Sequence, residues 1–283
     1  MGNRHGVGVR GYRYLSPAER KTAVPELPSL FDAHLHPEAL SDQDLESMRF
    51  FGVERVLVVA HHFAEPTAKA LLSHFDDLVS RQLPRLERLG IRAYAALGVH
   101  PRCIPRRGLS EVLSRLPDYF QGGRVVALGE TGLHAGGEEE EEAFLEQLAL
   151  ARRLKLRVVV HTPLQDKERH TRRILALLRD SGVLPSRVLV DHATGRTVGA
   201  ILGCGHWAGL TLHPEALKAE RAVALVRKLG SERLVLNSDA GDGAGDILGL
   251  ARLARLLAKA NLSDRIVRRV AYENAERFFQ IAV

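Results

Sequence analysis

From residue 30 onward, short apolar runs alternate with longer stretches in which apolar positions recur at helical spacing. The runs predict strands at Leu30–His34, Val53–Ala60, Ile91–Gly98, Val125–Gly129, Arg157–Val160, Arg187–Asp191, Trp207–Leu212 and Arg233–Asn237. Helical patterns such as Glu138–Leu154 and Lys167–Asp180 lie between them, and a last helix is expected over Ser263–Gln280. Its start has a capping-type serine, and Ile266, Val270 and Phe278 form its apolar face. Strand and helix alternating in this way predict a parallel sheet. Eight such units in roughly 250 residues match an α/β fold of the (β/α)8 TIM-barrel type. An open doubly wound sheet normally carries a glycine-rich phosphate turn after its first strand. Here that place holds His34-Leu35-His36, which favours the closed barrel. Residues 1–28, rich in Gly, Arg and Pro, are expected to be a loosely ordered N-terminal extension, and residues 29–283 the barrel domain.

Composition adds little that is specific. A hydrophobic content of 45% suffices for a large core, and no apolar run is long enough to span a membrane. The first thirty residues lack the apolar segment of a secretory signal. Two cysteines, Cys103 and Cys204, are too few for a disulfide framework, so a cytoplasmic location is expected. Cys204 precedes the seventh strand and is expected to be a buried thiol. The net charge of +6 suits an anionic partner, but the arginines are spread along helices rather than gathered in one block. The acidic run Glu138–Glu142 falls at a helix start, where carboxylates are favourable, and reads as a solvated helix end.

Chemistry enters with the histidines. Most of the thirteen stand where a predicted strand ends: His34 and His36, His61 and His62, His100, His134, His161, His192 and His213. Glu130 and Asp239 end the fourth and eighth strands. In a barrel these ends converge on one face, where active sites are built. Side chains at i and i+2 share a face of a strand, so His34 and His36 can grip one ion. With His161, His192, Glu130 and Asp239 they complete two divalent sites and leave room for water. Glu130 has two oxygens to share and is the natural bridge. A pair of metals about 3.5–4 Å apart would acidify a water, and Asp239 would take its proton.

The segments Phe31-Asp-Ala-His-Leu-His36, Gly98-Val-His-Pro101, Gly129-Glu-Thr-Gly-Leu133, Val160-His-Thr162, Asp191-His192 and Ser238-Asp239 resemble, in order and spacing, the TatD-like metal-dependent hydrolases. Tyr272-Glu-Asn-Ala-Glu-Arg-Phe278 resembles that family's closing helix, so the resemblance runs from Leu30 to Val283. It implies a TIM barrel, a binuclear divalent centre (Zn, Mn or Mg) and hydrolysis of an EC 3.1 type, with deoxyribonuclease activity in some members. Carried over by position, the ligands are His34, His36, Glu130, His161, His192 and Asp239, while His100 faces the substrate. His62, His134 and His213 are further candidates for substrate contact.

The chain departs from the family pattern at places that bear on substrate. Nuclease members usually have an arginine two residues after the strand-5 histidine, where this chain has Pro163. His134 replaces a common aspartate, and Asn237-Ser238 replaces Glu-Thr. Without that arginine a bidentate phosphate donor is lost, which weakens the expectation of nucleic acid as substrate. The stretch His161–Arg169 with Gly205-His-Trp-Ala-Gly209 looks more like TatD-type proteins that accompany ebo-type metabolite gene clusters. The expected function is hydrolysis of a phosphoester, amide or related bond. The rivals are a metal-dependent isomerase or lyase and a non-catalytic metal-binding barrel serving an assembly. Gly241–Gly245 is expected to be a flexible loop, and His5, His74, His170 and His206 to be without a role at the site.

Overall fold

The computed structural model describes residues 28–61, 66–213, 217–243 and 245–281. Eight parallel strands pair in sequence order: β1 (Leu30–Leu35), β2 (Val53–Val59), β3 (Arg92–Leu97), β4 (Val125–Gly132), β5 (Val158–His161), β6 (Val188–Val190), β7 (Trp207–Thr211) and β8 (Leu234–Asn237). The ring closes where Leu35 bridges Ala240 and where the Asp239 and His36 amides donate to the His34 and Ala240 carbonyls. All eight expected strands are present in a (β/α)8 barrel, and an open sheet is ruled out by this closure. The expected extension falls almost wholly outside the described residues.

Burial on both faces explains why the strands read as continuous apolar runs. Leu30, Val56, Val58, Leu128 and Val160 face the outer helices, whereas Phe31, Ala33, Leu57, Val59, Ala127 and Val159 fill the barrel interior. Phe278 and Phe279, in the helix Asn274–Phe279, close the interior from below, and Arg55 pairs with Glu276 beside them. Above this apolar floor the interior becomes polar, and the change is made by two irregularities in strand register. One lies between Asp32 and Leu35, the other between Leu128 and Thr131. In β1 odd-numbered Phe31 and Ala33 face inward, but odd-numbered Leu35 faces the helices. The parity switch aims His34 and His36 at the axis, as bulges near active sites do. The corresponding irregularity in β4 spans Glu130.

Four local expectations need correction. Strand β4 runs to Gly132 rather than stopping at Gly129, because Thr131 and Gly132 still pair with Val160 and His161 of β5. The closing helix is split: Asp264–Arg268 and Asn274–Phe279 flank a π turn at Arg269–Glu273, and the Ser263 side chain makes no capping bond. Cys204 is exposed, since it ends the short helix Val198–Gly203 at the surface rather than entering β7. The acidic run does begin a helix, Glu138–Leu154, but Glu140 turns back to accept the amides of His134, Ala135 and Gly136. It thereby ties down the loop after β4, so this part of the run is not simply solvated.

Candidate metal centre

The strand-end histidines and acids converge on a cavity of about 590 Å³ at the C-terminal mouth of the barrel. Glu130 is at the middle of it. Its Oε1 meets His161 Nδ1 at 3.0 Å and His192 Nε2 at 2.9 Å, while Oε2 is 3.6 Å from His34 Nε2 and 3.9 Å from His100 Nε2. Asp239 approaches the same nitrogen of His34: its Oδ1 is 3.4 Å from His34 Nε2 and 3.2 Å from His36 Nε2. Its Oδ2 is 3.8 Å from His192 Nδ1. His34 and His36 bring their Nε2 atoms to 3.2 Å from one another. All six residues expected to act together are therefore brought together.

Backbone geometry helps to aim them. His192 and Asp239 follow the ends of β6 and β8 with φ of 55° and 54°, a left-handed conformation that costs energy for residues other than glycine. Asp239 is held by a buried relay: Asp32 accepts the Ser238 amide at 2.9 Å and the Ser238 hydroxyl, and Ser238 Oγ accepts the Ala240 amide. The aspartate of the first motif thus orients the last one and does not line the cavity. Asn237, the other departure from the family pattern, donates to Asp191 Oδ1 at 2.8 Å. Asp191 also accepts the His192 amide at 2.8 Å and lies 2.8 Å from His34 Nδ1. Its role was not foreseen from sequence; an acid next to a histidine at a strand end was the available signal.

The charges fit divalent cations. Burial works against a charge on His34, but the carboxylates of Glu130, Asp239 and Asp191 outweigh it and push its pKa up to about 10. Burial also opposes charge on Glu130 and Asp239, yet neighbouring imidazoles, His34 foremost, hold both well below the usual carboxylate range. Buried carboxylates interleaved with imidazoles thus recruit protons where positive charge is wanted. Imidazole nitrogen with carboxylate oxygen is a donor set that suits zinc, manganese and related ions. His34, His36 and Asp239 form one cluster of ligand atoms, and His100, Glu130 and His161 another.

Of the remaining expected residues, His100, His134 and His213 line the cavity. His134 Nδ1 lies 3.5 Å from His161 Nε2, and the Arg102 amide donates to His100 Nδ1 at 3.0 Å. His62 lies outside the described residues, while its neighbour His61 lines the cavity wall. The loop after β8 is built into the site: Asp242 and Gly243 line the cavity, and an added Cβ on Gly241 would meet the His36 carbonyl oxygen at 2.1 Å. His74, expected to be uninvolved, reaches Glu38 at 4.0 Å. Arg102 and Pro163 also line the cavity.

Comparison with known proteins agrees with this geometry. The profile of the family described as TatD related DNase matches residues 31–280. An uncharacterised metal-dependent hydrolase of Methanocaldococcus jannaschii is 30% identical over 253 residues, covering 89% of this chain and all of the relative. A putative deoxyribonuclease of Mus musculus is 26% identical over 280 residues, 88% of each chain. Among solved structures, a TatD-like protein from Archaeoglobus fulgidus aligns with a TM-score of 0.75 and 29% identity over 89% of this chain and all of that one. Among the described residues no helix is long and apolar enough to cross a membrane. The chain belongs to the TatD family of metal-dependent hydrolases.

Proposed function

We propose that this hydrolase cleaves a phosphoester bond with two divalent ions. His34, His36 and Asp239 would hold one and His161 and His192 the other, with Glu130 placed to be shared between them. The observation that carries this reading is the division of Glu130, one oxygen on His161 and His192 and the other toward His34. When bound, such a pair of ions lowers the pKa of water and neutralises charge growing on the oxygen under attack. Asp239, which lies between His36 and His192 and borders the cavity, accepts the proton released by the attacking water. His100, His134 and His213 contact the substrate from the cavity wall. Arg102 supplies a cationic side chain at the mouth and takes over the phosphate contact that Pro163 cannot make. The mouse relative's designation as a deoxyribonuclease points the same way.

The test is metal analysis with an activity panel. Protein loaded in turn with Mn, Zn and Mg should hydrolyse bis(p-nitrophenyl) phosphate or a short single-stranded oligonucleotide, and Glu130→Gln should lose both metal and turnover. Full hydrolysis by Glu130→Gln, or activity only on amides and lactones, would overturn the reading.

A further inference from the structure

We propose that Gln147 is a positioning residue of the metal centre, holding the backbone that carries His100 against the backbone that carries Glu130. The ladder between β3 and β4 stops short of the site, and Leu97–Leu128 is its last pair. Just beyond that pair the two chains touch, since an added Cβ on Gly98 would lie 2.8 Å from the Gly129 Cα. From there β3 has ended, while β4 continues to Gly132 and pairs with β5. His100 and Glu130 therefore stand on two chain segments that no longer share a ladder.

Gln147 spans this gap. It lies in the helix Glu138–Leu154 and is 1% exposed. Its Oε1 accepts the Val99 amide at 2.8 Å, and its Nε2 donates to the Val99 carbonyl at 3.0 Å and to Thr131 Oγ1 at 2.7 Å. One side chain thus gives Val99 both of the bonds that a neighbouring strand would give, and ties it to β4. A contact from Nε2 to the Ala143 carbonyl, one turn back at 3.2 Å, anchors the amide to its own helix. Val99 precedes His100 and Thr131 follows Glu130, so the clamp grips the pair from both sides.

The two side chains are already fixed at their tips. His100 Nδ1 accepts the Arg102 amide at 3.0 Å, and Glu130 Oε1 meets His161 and His192. What remains to be set is the separation of the two backbones, which decides the 3.9 Å between His100 Nε2 and Glu130 Oε2. Leucine at position 147 would occupy similar volume but leave the Val99 N–H and C=O without these partners in a buried place, so the end of β3 must shift to find others. A displacement of about 1 Å can cost on the order of a hundredfold in turnover. Glu140, seven residues earlier on the same helix, holds the separate loop His134–Gly136, so that part of the wall is left in place.

The inference rests on Glu130 belonging to the metal centre and not on which bond is cleaved. In a chelator-competition titration of the full chain, Gln147→Leu should raise the dissociation constant for Mn(II) about tenfold, the lower end of what loss of a group supporting a metal ligand costs. Gln147→Glu keeps the shape and still accepts the Val99 amide, and should raise it less. At saturating Mn(II), hydrolysis of bis(p-nitrophenyl) phosphate by Gln147→Leu should lose about tenfold to a hundredfold in kcat, with KM within about twofold of wild type. A glutamine that only supports the fold would lower the melting temperature of both variants and leave the Mn(II) constant and kcat of the folded protein unchanged, and that result would overturn the proposal. Should Gln147→Leu fail to fold, wild-type Mn(II) affinity and kcat in Gln147→Glu would overturn it equally. Absence of diester hydrolysis by the wild type would count against the phosphoester reading alone, and the Mn(II) constants would still decide the role of Gln147.

Discussion

His34 Nδ1 lies 2.8 Å from Asp191 Oδ2, and both side chains are fully buried. A carboxylate behind an imidazole holds a proton on Nδ1, so that Nε2, which faces Glu130 and Asp239, is the nitrogen that would give up its proton to an ion bound there. Asp191 is itself held by the His192 amide and the Asn237 amide group, so one buried acid orients histidines on two strands.

Replacing Asp191 with Asn should therefore leave the fold intact and weaken the metal centre. Supporting carboxylates of this kind are worth about 10–100-fold in metal affinity or activity. The expected result is a matching rise in the dissociation constant for Mn(II), with much of the turnover restored at saturating metal. A chelator-competition titration measures this, and an unchanged constant would show that Asp191 does not tune His34.

Gly209 of β7 gives an independent way to disturb the same acid. A Cβ built there would lie 2.0 Å from Asp191 Oδ1 and 2.7 Å from its Cγ, a separation that no rotamer of alanine relieves. Gly209→Ala should cost about 1–3 kcal/mol in urea unfolding, as overpacking usually does, and should reproduce the metal defect of Asp191→Asn. Wild-type stability combined with wild-type metal affinity would contradict the packing described.

The barrel and the convergence of histidines at its strand ends are legible in the sequence because both rest on backbone period. Apolar runs mark strands buried on two faces, and histidines just past those runs mark the catalytic rim. What could not be read is how side chains are aimed. The register irregularities in β1 and β4 leave no compositional trace, although they turn His34 and Glu130 inward. Asp191, Asn237 and Ser238 act through contacts between residues far apart in the chain. The π turn at Arg269–Glu273 likewise interrupts a helix whose apolar spacing looks continuous. His74 shows the same limit, since a helical residue outside the barrel gives no sign that it reaches Glu38.

Lys167 provides a pH test of burial near the site. Its ammonium donates to the Thr162 carbonyl and hydroxyl at 2.7 Å each, and burial pulls its pKa down to about 7 against the opposing carboxylates of Asp191 and Glu130. In the unfolded chain a lysine titrates near 10.4, so between about pH 7 and 10 the unfolded state binds more protons than the folded one. Stability from this residue must rise with pH across that window, and the penalty is complete below it. Lys167→Met should melt higher than wild type near pH 6, with the gap narrowing or reversing by about pH 9 as the lost hydrogen bonds, about 1 kcal/mol each, come to dominate. A gap independent of pH in thermal melts would show that Lys167 keeps its charge.

Arg102 tests the choice of a phosphoester over a neutral substrate. It lies in the turn Pro101–Cys103, whose start is fixed by His100 Nδ1 accepting the Arg102 amide, and its residue borders the cavity. Pro163 borders the same cavity from the β5 side but offers neither charge nor donor. If Arg102 supplies the phosphate contact, Arg102→Ala should lower kcat/KM for a phosphodiester by about tenfold to a hundredfold, equivalent to roughly 1.5–3 kcal/mol for a charge-assisted hydrogen bond. Most of the loss should appear in KM, and Arg102→Lys should recover only part of it because the planar fork is gone. Any turnover of an uncharged ester such as p-nitrophenyl acetate should be unaffected. An equal loss on charged and uncharged substrates would mean that Arg102 supports the turn around His100 and does not recognise phosphate, which would remove the main electrostatic argument for an anionic substrate.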